Sequence, residues 1–182
     1  MPRRNWPRCC DGLMPNFPEP PRTRSLAKIP PLKKALPAGT LLWRIIFQSG
    51  EHADTWNAFR HFGPADGRFD HHLPPPRVQN RGILYAAIQG PTCFAEFFQE
   101  TRVIDRVRRS PALVGFPLRR AVPLLDLTGA WPTRAGASMA IHSGPRARAR
   151  RWSQAIYEAY PRIEGLFYCS SMDASRGAVA LC

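Results

Sequence analysis

The stretch from Trp56 to Glu100 collects residue types able to hold a phosphorylated, aromatic, cationic ligand. A polar loop ends in Gly67-Arg68-Phe69-Asp70, and a Pro-rich insertion leads from it to the apolar run Ile83-Leu84-Tyr85-Ala86-Ala87. Pro91 then opens a helix carrying Glu96. One strand therefore delivers a Tyr, a flanking loop an Arg, and the next helix a carboxylate. A guanidinium grips phosphate oxygens in pairs, a phenol ring offers a flat face to a cationic ring, and a carboxylate answers positive charge. A dinucleotide with a nicotinamide ring presents all three targets.

Positioning such groups takes a core, and 182 residues with 44% apolar content suffice for one domain. Residues 40–47 read as the first strand, with Arg44 inside it; a charge there either faces solvent or points into a ligand site. Residues 56–70 read as a loop with turn dipeptides Gly63-Pro64 and Asp66-Gly67, and residues 83–88 as the next strand. Gly90-Pro91-Thr92 starts a helix whose apolar stripe is Phe94, Phe97, Phe98, Thr101 and Ile104. The dipole at its N-terminal turn would favour Glu96 in the charged form. Short strands are expected at 113–117 and 122–127, a short helix at 133–141, a firmer helix at 146–160, and the last strand at 165–171. This mixture is that of an α+β domain. No internal repeat or P-loop is visible, and no G-x-G-x-x-G joins a strand to a helix, which argues against a Rossmann domain. Residues 1–37, rich in Pro and Arg, are expected to be a disordered or extended tail, leaving 38–182 as the domain.

No apolar run reaches the roughly 18 to 20 residues of a membrane span, and the N-terminus lacks a secretory apolar core, so a cytoplasmic protein is expected. The five cysteines show no C-x-x-C spacing, which disfavours disulfides and zinc; Cys93 and Cys169 read as small core residues. A net charge of +13 suggests polyanionic partners. Arg146, Arg148, Arg150 and Arg151 form either a solvated helix face or a binding patch, and the sequence leaves both open. His71 and His72 beside Asp70 lack a third metal ligand and read as a polar loop, and Arg134 is a weaker phosphate-contact candidate.

Six segments taken in order resemble the RES domain family, the toxin component of RES-Xre toxin-antitoxin pairs. They are Leu42-Trp43-Arg44-Ile45, Gly67-Arg68-Phe69-Asp70, Ile83-Leu84-Tyr85-Ala86-Ala87, Cys93-Phe94-Ala95-Glu96, Leu124-Leu125-Asp126-Leu127, and Gly165-Leu166-Phe167-Tyr168-Cys169-Ser170-Ser171. The resemblance implies an ADP-ribosyltransferase-like split β core with surrounding helices and an NAD cleft between its sheets. It implies degradation of NAD as substrate, by hydrolysis or phosphorolysis, with no separate cofactor or metal. It also implies a homodimer neutralised by an Xre-type helix-turn-helix antitoxin that occludes the cleft. Carried over, Arg44 and Arg68 contact the dinucleotide phosphates and ribose, and Tyr85 stacks on nicotinamide. Glu96 lies near the nicotinamide ribose, and Ser170, with Ser171 beside it, is the polar residue of the final strand. Glycosidic cleavage builds positive charge on the ribose, which a carboxylate stabilises.

Two departures from the family pattern carry expectations. The insertion at 71–81 predicts a longer or mobile Arg68 loop. The pattern also breaks off at Val179-Ala180-Leu181-Cys182, which predicts a truncated C-terminus with an exposed sheet edge. Two other functions fit parts of the sequence: a basic nucleic-acid-binding module, from the charge, and ADP-ribose transfer to a protein acceptor.

Overall fold

Strands form where aromatic and branched residues run between turn signals, and eight of them join in one curled sheet. The computed structural model describes residues 17–50, 55–173 and 176–182. The strands are β1 (Lys33–Leu36), β2 (Leu41–Phe47), β3 (Arg60–Gly63), β4 (Arg77–Ala87), β5 (Pro111–Pro117), β6 (Val122–Asp126), β7 (Gly165–Cys169) and β8 (Gly177–Leu181). The helices are α1 (Thr23–Leu26), α2 (Gly90–Phe97), α3 (Trp131–Arg134), α4 (Ala140–Ser143) and α5 (Arg146–Ala159). The sheet order is β1-β6-β7-β8-β4-β2-β5, with β3 paired to β4 off this path. Pairings are antiparallel except β6 with β7, whose parallel register needs the long crossover through α3, α4 and α5. The α+β class is therefore correct.

The sheet is nearly divided. β2 runs alongside β5 from Leu41↔Pro117 to Phe47↔Pro111, yet it meets β4 at the single pair Trp43↔Ala87. This narrow seam separates a β2–β5 block from the rest and opens the space that becomes the cleft.

Side chains alternate across the strands, so neighbours enter different cores. On β4, Ile83 joins a cluster with Trp152, Ile156 and Phe69, while Leu84 joins Leu42, Leu124, Phe167 and Val179 on the other face. The spacing of Ala149, Trp152 and Ile156 turns one stripe of α5 inward, and all three are fully buried. Burying a side chain the size of Ile156 contributes about 1.5–3 kcal/mol.

The N-terminal segment departs from expectation. Among its described residues, α1 and β1 belong to the fold, and β1 pairs with β6 from Lys33↔Leu125 to Leu36↔Val122. Phe17 and Leu26 are buried, Phe17 stacks on Trp152 at 6.4 Å, and the Trp152 indole N–H donates to the Pro18 carbonyl at 2.8 Å. Glu19 accepts from Arg151 through both carboxylate oxygens at 2.6 Å. A Pro-rich chain forms few ladders, but its apolar side chains and carbonyls serve as a strap across α5. Residues 1–16 lie outside the described residues.

Other boundaries differ for physical reasons. α2 ends at Phe97, and Ile104 is exposed instead of extending the stripe. The loop read at 56–70 contains β3, and the insertion's last residues belong to β4, which is longer than the apolar run because β3 pairs with its start. The helix expected at 133–141 is two single turns, α3 and α4. β8 follows β7 and is paired on both sides, with β7 and with β4, so no exposed edge lies there.

Candidate functional site

A cleft of about 690 Å³ opens along the seam, walled by β2, β4 and α2 and by the turn before Arg68. Arg44, Arg68, Tyr85 and Glu96 all line it. Ser170 and Ser171 stand behind it, joined to the cleft through Glu96.

Glu96 sits in the second turn of α2, so the expected help from the N-terminal dipole is absent. Its carboxylate is held from the end of β7 instead. Oε1 accepts the Ser170 hydroxyl at 2.5 Å and the Ser171 backbone N–H at 3.1 Å. The Ser170 Oγ in turn accepts the N–H groups of Met172 at 3.0 Å and Asp173 at 3.1 Å, so its proton is committed to Glu96. Buried Thr92, in the first turn of α2, donates to Asp173 Oδ2 at 2.5 Å and ties the same turn to the same helix. Ser170 thus reaches Glu96 with its side chain, whereas Ser171 contributes its main chain and its side chain is exposed.

Arg44 donates through Nη1 to the carbonyls of Ala58 at 2.9 Å and Trp56 at 3.2 Å. Arg68 donates through Nη1 to the Gly144 carbonyl at 2.6 Å, just before α5. Burial lowers the Arg68 pKa, and neighbouring Arg146 adds to this against the opposing pull of Glu96; a guanidinium stays charged through such a shift.

Tyr85 lies beneath the Arg68 loop. A Cβ placed on Gly67 would stand 2.5 Å from the Tyr85 hydroxyl, so only glycine lets the loop lie on the ring. Burial, reinforced by Asp70, raises the phenol's pKa well above its usual value and keeps it neutral. Its oxygen makes no hydrogen bond of ordinary geometry among the described residues. Next to it, Phe69 is fully buried against Tyr168, another cleft residue, at 4.6 Å.

The insertion predicts a longer or mobile Arg68 loop; in the structure the loop is tied through Asp70. Fully buried Asp70 accepts from Ala65 N–H at 2.6 Å and Arg60 Nη2 at 2.8 Å on one oxygen, and from His72 N–H at 3.0 Å on the other. His72 Nδ1 stands 2.7 Å from that second oxygen, and its Nε2 lies 2.8 Å from the Arg81 carbonyl. Burial pushes the Asp70 carboxyl up, but the N–H groups of His72 and Ala65 together with Arg60 outweigh it and leave the pKa lowered. Asp70, His71 and His72 lie in a loop, as expected, but they are buried and support it from within. Arg134 is outside the cleft and donates to the Pro30 carbonyl at 2.5 Å. Cys93 is buried, and burial raises its thiol to about 11.

Several cleft residues are not singled out as site residues by the sequence: Arg60, Asp66 and Tyr168 arrive from separate elements. Arg146 alone leaves a trace, being a cation at the first position of a helix, where the dipole disfavours it.

Residues 41–182 match the RES domain family, and the chain belongs to that family. Among solved structures it is similar to the M.tuberculosis MbcT-MbcA toxin-antitoxin complex. That likeness has a TM-score of 0.56 at 15% identity and covers 87% of this chain and 80% of the other, and it establishes the fold. No curated protein matches the sequence at a significant level.

Proposed function

We propose that this protein is the toxin of a toxin-antitoxin pair and acts by cleaving the nicotinamide–ribose bond of NAD. The observation that carries the reading is one cleft holding Arg44, Arg68, Tyr85 and Glu96 together, in a chain of the RES domain family. Arg44 and Arg68 bind the pyrophosphate and ribose, and the Tyr85 ring packs against the nicotinamide. The bond between the anomeric carbon and the pyridinium nitrogen breaks as its electron pair leaves with neutral nicotinamide, and the ribose carbon becomes positively charged. Glu96, oriented by Ser170 and Ser171, stabilises that charge and aligns the acceptor, water or phosphate, which supplies the new bond and releases its proton. NAD is a substrate in this scheme, and no separate cofactor enters.

The likeness to a toxin-antitoxin complex supports an antitoxin partner; the rest of the regulatory half of the proposal follows from the family resemblance, by which an Xre-type helix-turn-helix antitoxin covers the cleft of a homodimeric toxin in the cytoplasm. Among the described residues no helix is long and apolar enough to cross a membrane. The nucleic-acid alternative keeps its support in the net charge of +13, but the α5 arginines add little to it, since Arg148 and Arg151 are paired with Glu19 and Arg150 with Asp66.

The test is release of nicotinamide from NAD by purified protein, with the ribose carrying a radiolabel. Label in free ADP-ribose or its 1-phosphate supports the proposal and names the acceptor. Label on protein would make it a transferase, and intact NAD would reject the enzyme reading.

A further inference from the structure

Arg146 begins α5 and lines the cleft. Its Nη1 lies 2.8 Å from Glu100 Oε1 and 3.8 Å from Asp66 Oδ2, while Arg150, one turn on, holds Asp66 Oδ1 at 2.9 Å. The three partners come from α5, from the segment after α2, and from the turn before Arg68. They meet at the cleft wall.

The exposures are unequal. The Arg146 side chain is 28% exposed, whereas those of Glu100 and Asp66 are 72% and 81% exposed. A carboxylate so open to water gains little from its ion pair and leaves it easily. The guanidinium is the fixed member. Its position is unfavourable in two ways: it stands at the positive end of a helix dipole, and it lines the same cleft as Arg68, whose guanidinium is anchored on the Gly144 carbonyl two residues before it, so the two like charges oppose one another. Two guanidiniums on one cleft wall near a helix start repel one another, and an anion with several oxygens between them relieves that repulsion. Asp66 already has Arg150, which leaves Glu100 as the principal counter-charge of Arg146.

We propose that Arg146 is a second anion-binding residue beside Arg68, taking one phosphate of a pyrophosphate-bearing substrate, and that Glu100 occupies it until that substrate displaces it. Naming the pyrophosphate as part of a dinucleotide rests on the function proposed above; the anion site itself does not. Glu100 is in this view a competitor that sets affinity, and its partner is a specificity residue, outside the bond-breaking machinery.

The experiment is calorimetric binding of inorganic pyrophosphate and of ADP-ribose to the wild-type protein, Arg146→Ala, Glu100→Gln and the double variant, with thermal melting of each as a control for folding. Arg146→Ala is expected to weaken both probes roughly tenfold, the worth of one charge-assisted contact. Glu100→Gln is expected to tighten both, and the double variant to bind like Arg146→Ala alone, because Glu100 acts through Arg146. A purely structural clasp predicts that both single variants weaken binding in the same direction, which overturns the proposal. So does a gain from Glu100→Gln that persists in the Arg146→Ala background, since that is a general field effect. So does failure of the wild type to bind pyrophosphate. Pyrophosphate binding that follows the expected pattern without ADP-ribose binding would keep the anion site and reject the dinucleotide reading instead.

Discussion

Ser170 gives its only proton to Glu96, at 2.5 Å, while two backbone N–H groups of the turn that follows occupy its oxygen. The hydroxyl therefore has one orientation, and Glu96 inherits it. On the proposed chemistry, Ser170→Ala leaves the carboxylate free to rotate and lowers kcat about tenfold with KM nearly unchanged, the effect of losing ~1.4 kcal/mol of alignment. Ser171→Ala keeps the N–H that matters and stays close to wild type. Steady-state kinetics of the two variants decide the matter; equal effects would mean that the hydroxyl of Ser170 has no special part.

Gly67 and Tyr85 form a second coupled pair. An alanine at 67 collides with the phenol oxygen at 2.5 Å and with ring carbons at 3.0 Å, so Gly67→Ala is expected to lower stability by about 1–3 kcal/mol and to displace the Arg68 loop. Tyr85→Phe removes an oxygen that makes no ordinary hydrogen bond and is expected to melt no lower than wild type. Combined with Gly67→Ala it should recover part of the loss, because the closest contact is gone. Chemical denaturation of all four proteins measures the coupling; strict additivity would show that the ring and the loop do not press on one another.

That Arg44, Arg68, Tyr85 and Glu96 share one cleft was legible because each lies in a short ordered motif, Tyr85 on an apolar strand, Glu96 on a helix opened by Pro91 and Arg68 in a turn beside Gly67. What could not be read is who stands opposite. Arg146 and Arg60 enter the cleft through long-range packing, which leaves no periodic trace near them. β8 escaped notice because Gly177-Ala178-Val179-Ala180-Leu181 has small residues buried almost throughout, with no alternation to mark a strand. The N-terminal strap escaped for a different reason: Phe17, Leu26, Ile29 and Leu32 are too few and too broken up by Pro18, Pro20, Pro21, Pro30 and Pro31 to form a sustained periodic face, yet all four pack against the core.

That strap gives a direct stability prediction. Phe17→Ala and Leu26→Ala each remove a buried side chain beside Trp152 or Tyr160, whose hydroxyl donates to the Leu26 carbonyl at 2.7 Å. Each is expected to cost about 2–4 kcal/mol, and starting the chain at residue 38 would uncover the outer face of α5 and release β6 from β1. Urea unfolding checks this. A chain beginning at 38 that unfolds at the wild-type midpoint would return the segment to the status of a dispensable tail.

The last prediction concerns acid. His71 is 8% exposed, its ring nitrogens make no hydrogen bond of ordinary geometry among the described residues, and it packs on Tyr157 at 4.5 Å and His72 at 4.9 Å. Burial, then His72 and Arg81, push its pKa from 6.5 down to about 4, with Asp70 opposing. The unfolded chain therefore binds a proton below pH 6.5 that the folded protein refuses until about pH 4. Stability is flat above that window and falls as pH drops through it, by at most about 3 kcal/mol from this group. Asp70 acts lower: its depressed pKa contributes stability above the ordinary 3.8, and that contribution is lost as pH falls through the folded value. His71→Phe keeps the aromatic packing and removes the titration, so its stability should change little across the window while the wild type loses roughly fifty-fold in its folding constant between neutral pH and pH 4.5. Urea midpoints at neutral pH and near pH 4.5 for both proteins measure the difference, and identical slopes would assign the acid sensitivity to other groups.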